Sequence, residues 1–330
     1  MALTVRGMPL RTAAFTALAD KVARRPIWSM SQSDIRKSRT QTYPRHRLAR
    51  SIFGAVSADV GIGYATAPAR DGYEIPVRTY RPHGERGLGP LPVVMFFHGG
   101  GWVLGNVVNY DPICSLLSDE LEALVLSVDY RMAPEHRAPT AAYDCIDASR
   151  WVVGNGAAIG ADPTRLAVCG DSAGGSLAAV VAQAFRDDGL ASIRHQCLIY
   201  PGTDLTMSSP SIAEHANGAI LTKRSMDSFA DHYIPDEARR GDPIVSPLFG
   251  DLEGLPPALI QTADLDPLRD DGVRYAEALR AAGVEVRLTN YLGVPHGFAT
   301  FPGATRIGAQ HRAEILTEMR LRLHLDSPLR

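Results

Sequence analysis

Gly170-Asp171-Ser172-Ala173-Gly174 lies between the apolar run Arg165-Leu166-Ala167-Val168-Cys169 and a small-residue helical pattern from Gly175 to Phe185. The motif G-x-S-x-G therefore joins a strand to a helix. A turn this sharp lifts the serine hydroxyl out of the sheet, and side chains at the flanking glycines would clash. Ser172 reads as a nucleophile. A serine hydroxyl is weakly nucleophilic at neutral pH, so it needs a base, a group that orients the base, and donors for the oxyanion that develops.

The donors are expected from His98-Gly99-Gly100-Gly101-Trp102, directly after the apolar strand Val93 to Phe97. Three glycines let the backbone approach a substrate and turn N–H groups outward. With the residue after the nucleophile, this names the amides of Gly99, Gly100 and Ala173 as the oxyanion hole. A phosphate-cradling loop fits poorly, because no G-K-[ST] follows and Trp102 stands where a helix N-terminus should be open. His98, at the mouth of the loop, is expected to brace it.

Chain order names the base. Sheet-based serine hydrolases place the serine, then an acid, then a histidine, each after a successive strand. His296 lies in Gly293-Val294-Pro295-His296-Gly297-Phe298, after the strand Val286 to Tyr291. A histidine in a late loop is more often structural, and its place after the final strand makes His296 the base. The acid should follow the strand Ala258 to Thr262, where Asp264, Asp266, Asp270 and Asp271 compete. Asp270 and Asp271 fall on the helix after Pro267, suited to its dipole or to arginines. Asp264 and Asp266 both stay at the strand tip; the following proline favours Asp266 only modestly.

These groups need a scaffold. Ile62 to Thr66 and Tyr73 to Tyr80 read as an antiparallel hairpin, followed by continuous apolar strands at Val93 to Phe97, Leu124 to Val128, Leu166 to Cys169, Cys197 to Tyr200, Ala258 to Thr262 and Val286 to Tyr291. Continuous apolar strands alternating with helix-length segments indicate an α/β fold with a mostly parallel sheet buried on both faces. Residues 10–24 and 32–53 have the spacing of two helices, broken near Pro26. From Thr203 to about Gly241 there is no clear strand, and Ile220, Leu221, Met226, Phe229, Tyr233 and Ile234 are spaced so that several share a helix face. This insert either packs on the sheet or, with residues 1–50, roofs a pocket.

Composition sets the outer bounds. A chain of 330 residues that is 45% hydrophobic and 21% charged builds a substantial core, and a net charge of −2 carries no global nucleic-acid signature. Residues 1–50 nevertheless hold eleven Lys/Arg against two Asp/Glu. Solvated helix faces are the first reading of this excess, and weak contact with an anionic membrane surface is the second. Cys114, Cys145, Cys169 and Cys197 are too dispersed for a disulfide framework or a zinc site, so buried free thiols are expected. The apolar stretch Thr12 to Ala19 is too short and too closely bracketed by Arg11 and Asp20 for a secretory h-region. No run approaches the length of a membrane span. The cytoplasm is the expected location.

The motifs His98-Gly99-Gly100-Gly101-Trp102, Asp129-Tyr130-Arg131-Met132-Ala133-Pro134-Glu135-His136, Gly170-Asp171-Ser172-Ala173-Gly174-Gly175, Asp266-Pro267-Leu268-Arg269-Asp270 and His296-Gly297-Phe298 occur in this order over residues 93–298. In this the chain resembles the hormone-sensitive lipase family of α/β hydrolases, the group IV bacterial esterases and lipases. The resemblance implies that Asp266, before Pro-Leu-Arg-Asp, is the triad acid, and that Asp129 to His136 brace the oxyanion loop. It also implies a two-part helical cap. The expected division is then 1–55 for the N-terminal part of the cap, 56–202 for the hydrolase core, 203–241 for the inserted cap segment and 242–330 for the rest of the core.

The expected activity is hydrolysis of short- to medium-chain acyl esters through an acyl-enzyme. Trp102, Tyr200, Leu205, Leu265 and Phe298 flank the motifs and are candidate pocket walls. The expected partner is a small-molecule ester, with no cofactor, metal or nucleic acid; a homodimer is left open. An amidase or thioesterase would use the same triad. A non-catalytic receptor on this scaffold would lack the histidine, and His296 argues against it.

Overall fold

The continuous apolar runs form an eight-stranded sheet in the computed structural model, which describes residues 7–22, 25–190 and 193–324. The strands are β1 (Val60–Pro68), β2 (Glu74–Pro82), β3 (Leu91–Phe97), β4 (Leu124–Val128), β5 (Ala161–Asp171), β6 (Ile193–Ile199), β7 (Ala258–Leu265) and β8 (Val286–Pro295). Their spatial order is β1-β2-β4-β3-β5-β6-β7-β8. β2 pairs antiparallel with β1 and β4, and every pairing from β4 through β8 is parallel. The expected hairpin entry and mostly parallel sheet are both present.

Burial on two faces explains why the strands read as continuous rather than alternating. Val93, Met95 and Phe97 of β3 enter one apolar cluster, and Val94 and Phe96 enter the other. The first is completed by α5 (Thr140–Ile159), α6 (Ala173–Asp187) and α9 (Arg269–Ala281), through residues such as Val152, Leu177 and Leu279. The second is completed by α4 (Asp111–Leu121) and α10 (Gly308–Leu323), through Leu117, Leu121, Ile315 and Met319. All four cysteines are free and buried, and serve as small apolar residues in these layers.

The N-terminal segment differs from expectation in one respect. α1 (Leu10–Val22) is one helix, but the region expected to form a single helix over 32–53 is divided into α2 (Gln32–Arg39) and α3 (Arg47–Phe53). Pro44 keeps Tyr43 out of the helical region, and the His46 ring accepts the Ala49 N–H to start α3 afresh. α2 starts with a reciprocal cap between Ser31 and Asp34. Several of the basic residues here are engaged by the protein itself. Arg39 donates to the carbonyls of Val103 and Ala133, and Arg45 pairs with the buried Asp111. Arg6 and Arg24, also in the basic count, lie outside the described residues. Among the described residues no helix is long and apolar enough to cross a membrane.

The connection from β6 to β7 carries α7 (Pro210–Glu214) and α8 (Lys223–Tyr233) over the strand tips. It is tied down by polar groups. The buried Asp271 carboxylate of α9 accepts the N–H groups of Thr203 and Asp204 and the Ser209 hydroxyl, and Ser246 Oγ accepts the Leu205 N–H. Asp271 was expected to offset its helix dipole or pair with arginines; it anchors the insert instead.

Candidate active site

Ser172 follows the last residue of β5 and takes φ +55° and ψ −121°, a backbone conformation a serine adopts only under constraint. The constraint is visible on both sides. The Ser172 N–H donates to the Ile199 carbonyl at 2.8 Å, and a side-chain carbon on Gly174 would lie 1.9 Å from the Phe97 carbonyl oxygen. Only glycine lets α6 start this close to β3, and that approach aims the serine Oγ away from the sheet.

His296, just past β8, places Nε2 2.9 Å from Ser172 Oγ and Nδ1 2.7 Å from Asp266 Oδ2. Asp266 is completely buried, and its other oxygen accepts the Leu268 N–H at 2.8 Å. With both carboxylate oxygens engaged, the ring is held with Nδ1–H toward Asp266 and Nε2 free to accept the serine proton. Asp264 turns elsewhere, accepting the Gly293 N–H at 3.3 Å. Asp270 bonds Arg269 and the Ser211 N–H.

The oxyanion loop departs from expectation at Gly99. Its N–H is already donated, to Asp171 Oδ1 at 2.8 Å and to the Tyr110 hydroxyl at 3.0 Å, so it has no free donor for substrate. Gly100, Gly101 and Ala173 line the cavity over Ser172, and among the described residues their N–H groups have no hydrogen-bond partner. The free amides over Ser172 are therefore those of Gly100, Gly101 and Ala173, and Gly99 is not among them. Gly100 has φ +128°, and a side-chain carbon there would meet the Leu104 carbonyl oxygen at 2.1 Å.

Around the loop, the bracing groups are dense. His98 Nδ1 lies 2.8 Å from the Gly99 carbonyl, and its ring stacks on Tyr130 at 4.4 Å between centroids. Burial pushes the His98 pKa down, so the ring is neutral and turned into the protein. The Tyr130 hydroxyl donates to the His98 carbonyl at 2.7 Å. Asp171, the second residue of the serine motif, was not singled out from sequence. Besides the Gly99 N–H it accepts the hydroxyls of Tyr110 and Tyr200. Burial raises its pKa to about 6 against the pull of those hydrogen bonds.

A cavity of about 230 Å³ opens above Ser172. Trp102 and Leu205 line it as expected, with Met207, Ile220, Leu221, Met226, Phe229 and Leu268. Three expected walls do not. Tyr200 and Phe298 are fully buried, and their rings meet edge to face behind His296. Leu265 is buried at the end of β7 in register with Pro295. Of these, Tyr200 packs on the His296 ring from within. No described residue of the first fifty lines the cavity, so the roof comes from the insert. The N-terminal segment reaches the site indirectly, through Arg39 on the carbonyl of Val103 beyond the glycine loop and through the turn Ile27–Ser29, which packs on α8. Among the described residues no group of three or more His, Cys, Asp or Glu is placed to hold a metal ion.

Residues 94–300 match a protein family described as having the alpha/beta hydrolase fold. The chain is 43% identical to carboxylesterase NlhH of Mycobacterium tuberculosis over 255 residues, covering 76% of this chain and 79% of that protein. It is 42% identical to an ethyl acetate hydrolase of Pseudomonas putida over 231 residues, covering 69% and 73% of the two chains. A thermostable esterase from Pseudomonas putida superposes with a TM-score of 0.86 at 34% identity, over 96% of this chain and 98% of the other.

Proposed function

From the premise that the chain belongs to the alpha/beta hydrolase family, as a carboxylic ester hydrolase of its hormone-sensitive-lipase-like group IV branch, we propose that Ser172, His296 and Asp266 form its catalytic triad, with short- to medium-chain acyl esters as substrates. The observation that carries this reading is the continuous line from Ser172 Oγ through both nitrogens of His296 to Asp266, on the floor of an apolar cavity.

Ser172 attacks the ester carbonyl as its proton passes to His296 Nε2. The carbonyl oxygen, now negative, is held by the N–H groups of Gly100, Gly101 and Ala173. Fixed donors in a site that excludes water stabilise the tetrahedral state without reorganising. Asp266 keeps Nδ1 protonated and offsets the charge of the imidazolium. His296 then returns the proton to the leaving alkoxide oxygen as the C–O bond breaks. Water then gives a proton to the same nitrogen as it attacks the acyl carbon, and His296 returns that proton to Ser172 Oγ as its bond to the acyl carbon breaks and the acid leaves.

Substrate size follows from the cavity. Pockets for drug-sized ligands run from about 300 to 1,000 Å³, so the 230 Å³ above Ser172 suits a short chain. The test is kcat/KM for p-nitrophenyl esters from acetate to palmitate, with Ser172→Ala as control. The expected result is a maximum at short to medium chains and loss of turnover in the variant. Fastest turnover on long chains would overturn the size assignment. Full activity in Ser172→Ala would overturn the triad.

A further inference from the structure

The Leu221 N–H donates to the Ala219 carbonyl at 2.9 Å, and the residue between them, Ile220, has φ +72°. A hydrogen bond spanning two residues about a positive φ is the rare and strained form of the γ-turn. A β-branched residue there is an outlier, because its methyl crowds the backbone. Burial does not compensate for this. Ile220 is 39% exposed, whereas its neighbour Leu221 is buried with Ile212, Met226 and Leu268.

The surroundings hold the turn in place. On one side the Gly218 N–H donates to the His215 carbonyl and the Lys223 N–H to Ala216; on the other, Thr222 caps α8 by accepting the Ser225 N–H. The side chain is thereby fixed at the mouth of the Ser172 cavity. Its Cγ2 would lie 3.6 Å from a side-chain carbon on Gly297, next to His296.

We propose that Ile220 determines specificity for the alcohol portion of the ester. The inference rests on the triad reading above. His296 Nε2 delivers its proton to the alkoxide oxygen, so the alcohol must leave past the histidine, and Ile220 occupies the space beside Gly297 through which its substituents extend. The acyl chain, joined to Ser172 after the first step, does not need that space. Strain at a half-exposed residue is then maintained because a branched apolar group at this point excludes bulky alcohols.

The test compares two ester series in Ile220→Ala and Ile220→Gly: acetates of ethyl, isopropyl, tert-butyl and menthyl alcohols, and p-nitrophenyl esters of increasing acyl length. Both variants are expected to raise the kcat/KM ratio of menthyl to ethyl acetate by about tenfold or more, the scale of discrimination by a few pocket carbons. The acyl-length profile should not move. Ile220→Gly should also melt no lower than wild type, since glycine accepts the positive φ, whereas Ile220→Ala keeps the strained turn. An unchanged alcohol ratio, or a change in the acyl profile instead, would overturn the proposal. Covalent labelling of Ser172 by a fluorophosphonate, run on the same variants, separates the two readings: with labelling intact and the alcohol ratio unchanged, only the role of Ile220 fails.

Discussion

The strand tips and the insert above them are built on different terms. At the tips, Asp266 is fully buried with both oxygens engaged, His296 is hydrogen-bonded at both nitrogens, and Gly99 is bound to Asp171. In the insert, most residues on the cavity are apolar, and fixation comes from polar ties along its length, from Asp271 and Ser246 near Thr203 to Asp270 on Ser211 and Arg269 on Glu214. On the proposed triad, chemistry that depends on angstrom-scale placement sits on the parallel strands, and fit to the substrate falls to the insert. Substitutions at the tips should therefore depress turnover on every ester alike, and substitutions in the insert should redistribute activity among esters.

The largest effect that would break this division is at Asp266. Asp266→Asn offers an amide where Nδ1–H needs an acceptor and favours the wrong tautomer, so kcat should fall by about 10⁴ for all esters with their ratios preserved. A steady-state panel checks both halves of that statement. Gly100→Ala comes next, because its new methyl would collide with the Leu104 carbonyl and displace the oxyanion donors. A loss of about 10² to 10³ in kcat with KM nearly constant is expected.

Two buried carboxylates allow the regions to be compared by pH. Burial raises Asp171 at the strand tip to about 6 and Asp271 under the insert to about 7, from an ordinary 3.8. A raised carboxyl pKa means the folded state holds its proton longer, so each group's contribution to stability declines as pH rises from about 4 to its folded value, and is level above. In Asp171→Asn the melting temperature relative to wild type should climb between pH 4 and 6 and then stay flat. In Asp271→Asn the climb should continue to pH 7. Each climb corresponds to a gain in relative stability on the order of 3 kcal/mol or somewhat more. A flat difference across pH 4 to 8 for either variant would remove that group from the account.

The smallest effect is expected in the insert. The Phe229 ring closes over the glycine loop, within 2.4 Å of where a side chain on Gly101 would start. Phe229→Ala should keep kcat on acetates within about tenfold while shifting the preferred acyl length upward. A uniform loss across the acyl series would show that the insert positions the oxyanion loop rather than sizing the pocket.

Much of the tip region was legible in the sequence, because its determinants are local. A strand, a glycine-flanked serine and a helix are contiguous, and His296 follows the last strand. Asp266 was not separable from Asp264 by residue type; a register irregularity in the β7–β8 pairing between Ala263 and Leu265 accompanies their divergence, one to the histidine and one to Gly293. Gly99 departs from expectation because the direction of its N–H is set by Asp171 and Tyr110, one of them seventy-two residues away. Tyr200, Leu265 and Phe298 were mistaken for walls since nearness to a motif does not say which face of the histidine a side chain occupies. The insert's apolar face was readable from spacing, whereas the strained turn at Ile220 depends on how the two ends of its loop are held.

In the proposed mechanism Ser172 carries the acyl group. Intact-mass analysis and peptide mapping after rapid mixing with p-nitrophenyl butyrate and acid quench test it directly. The account predicts a butyryl adduct confined to the peptide containing Ser172 and absent from Ser172→Ala. A butyryl group on another residue, or unimpaired turnover by Ser172→Ala, would contradict it.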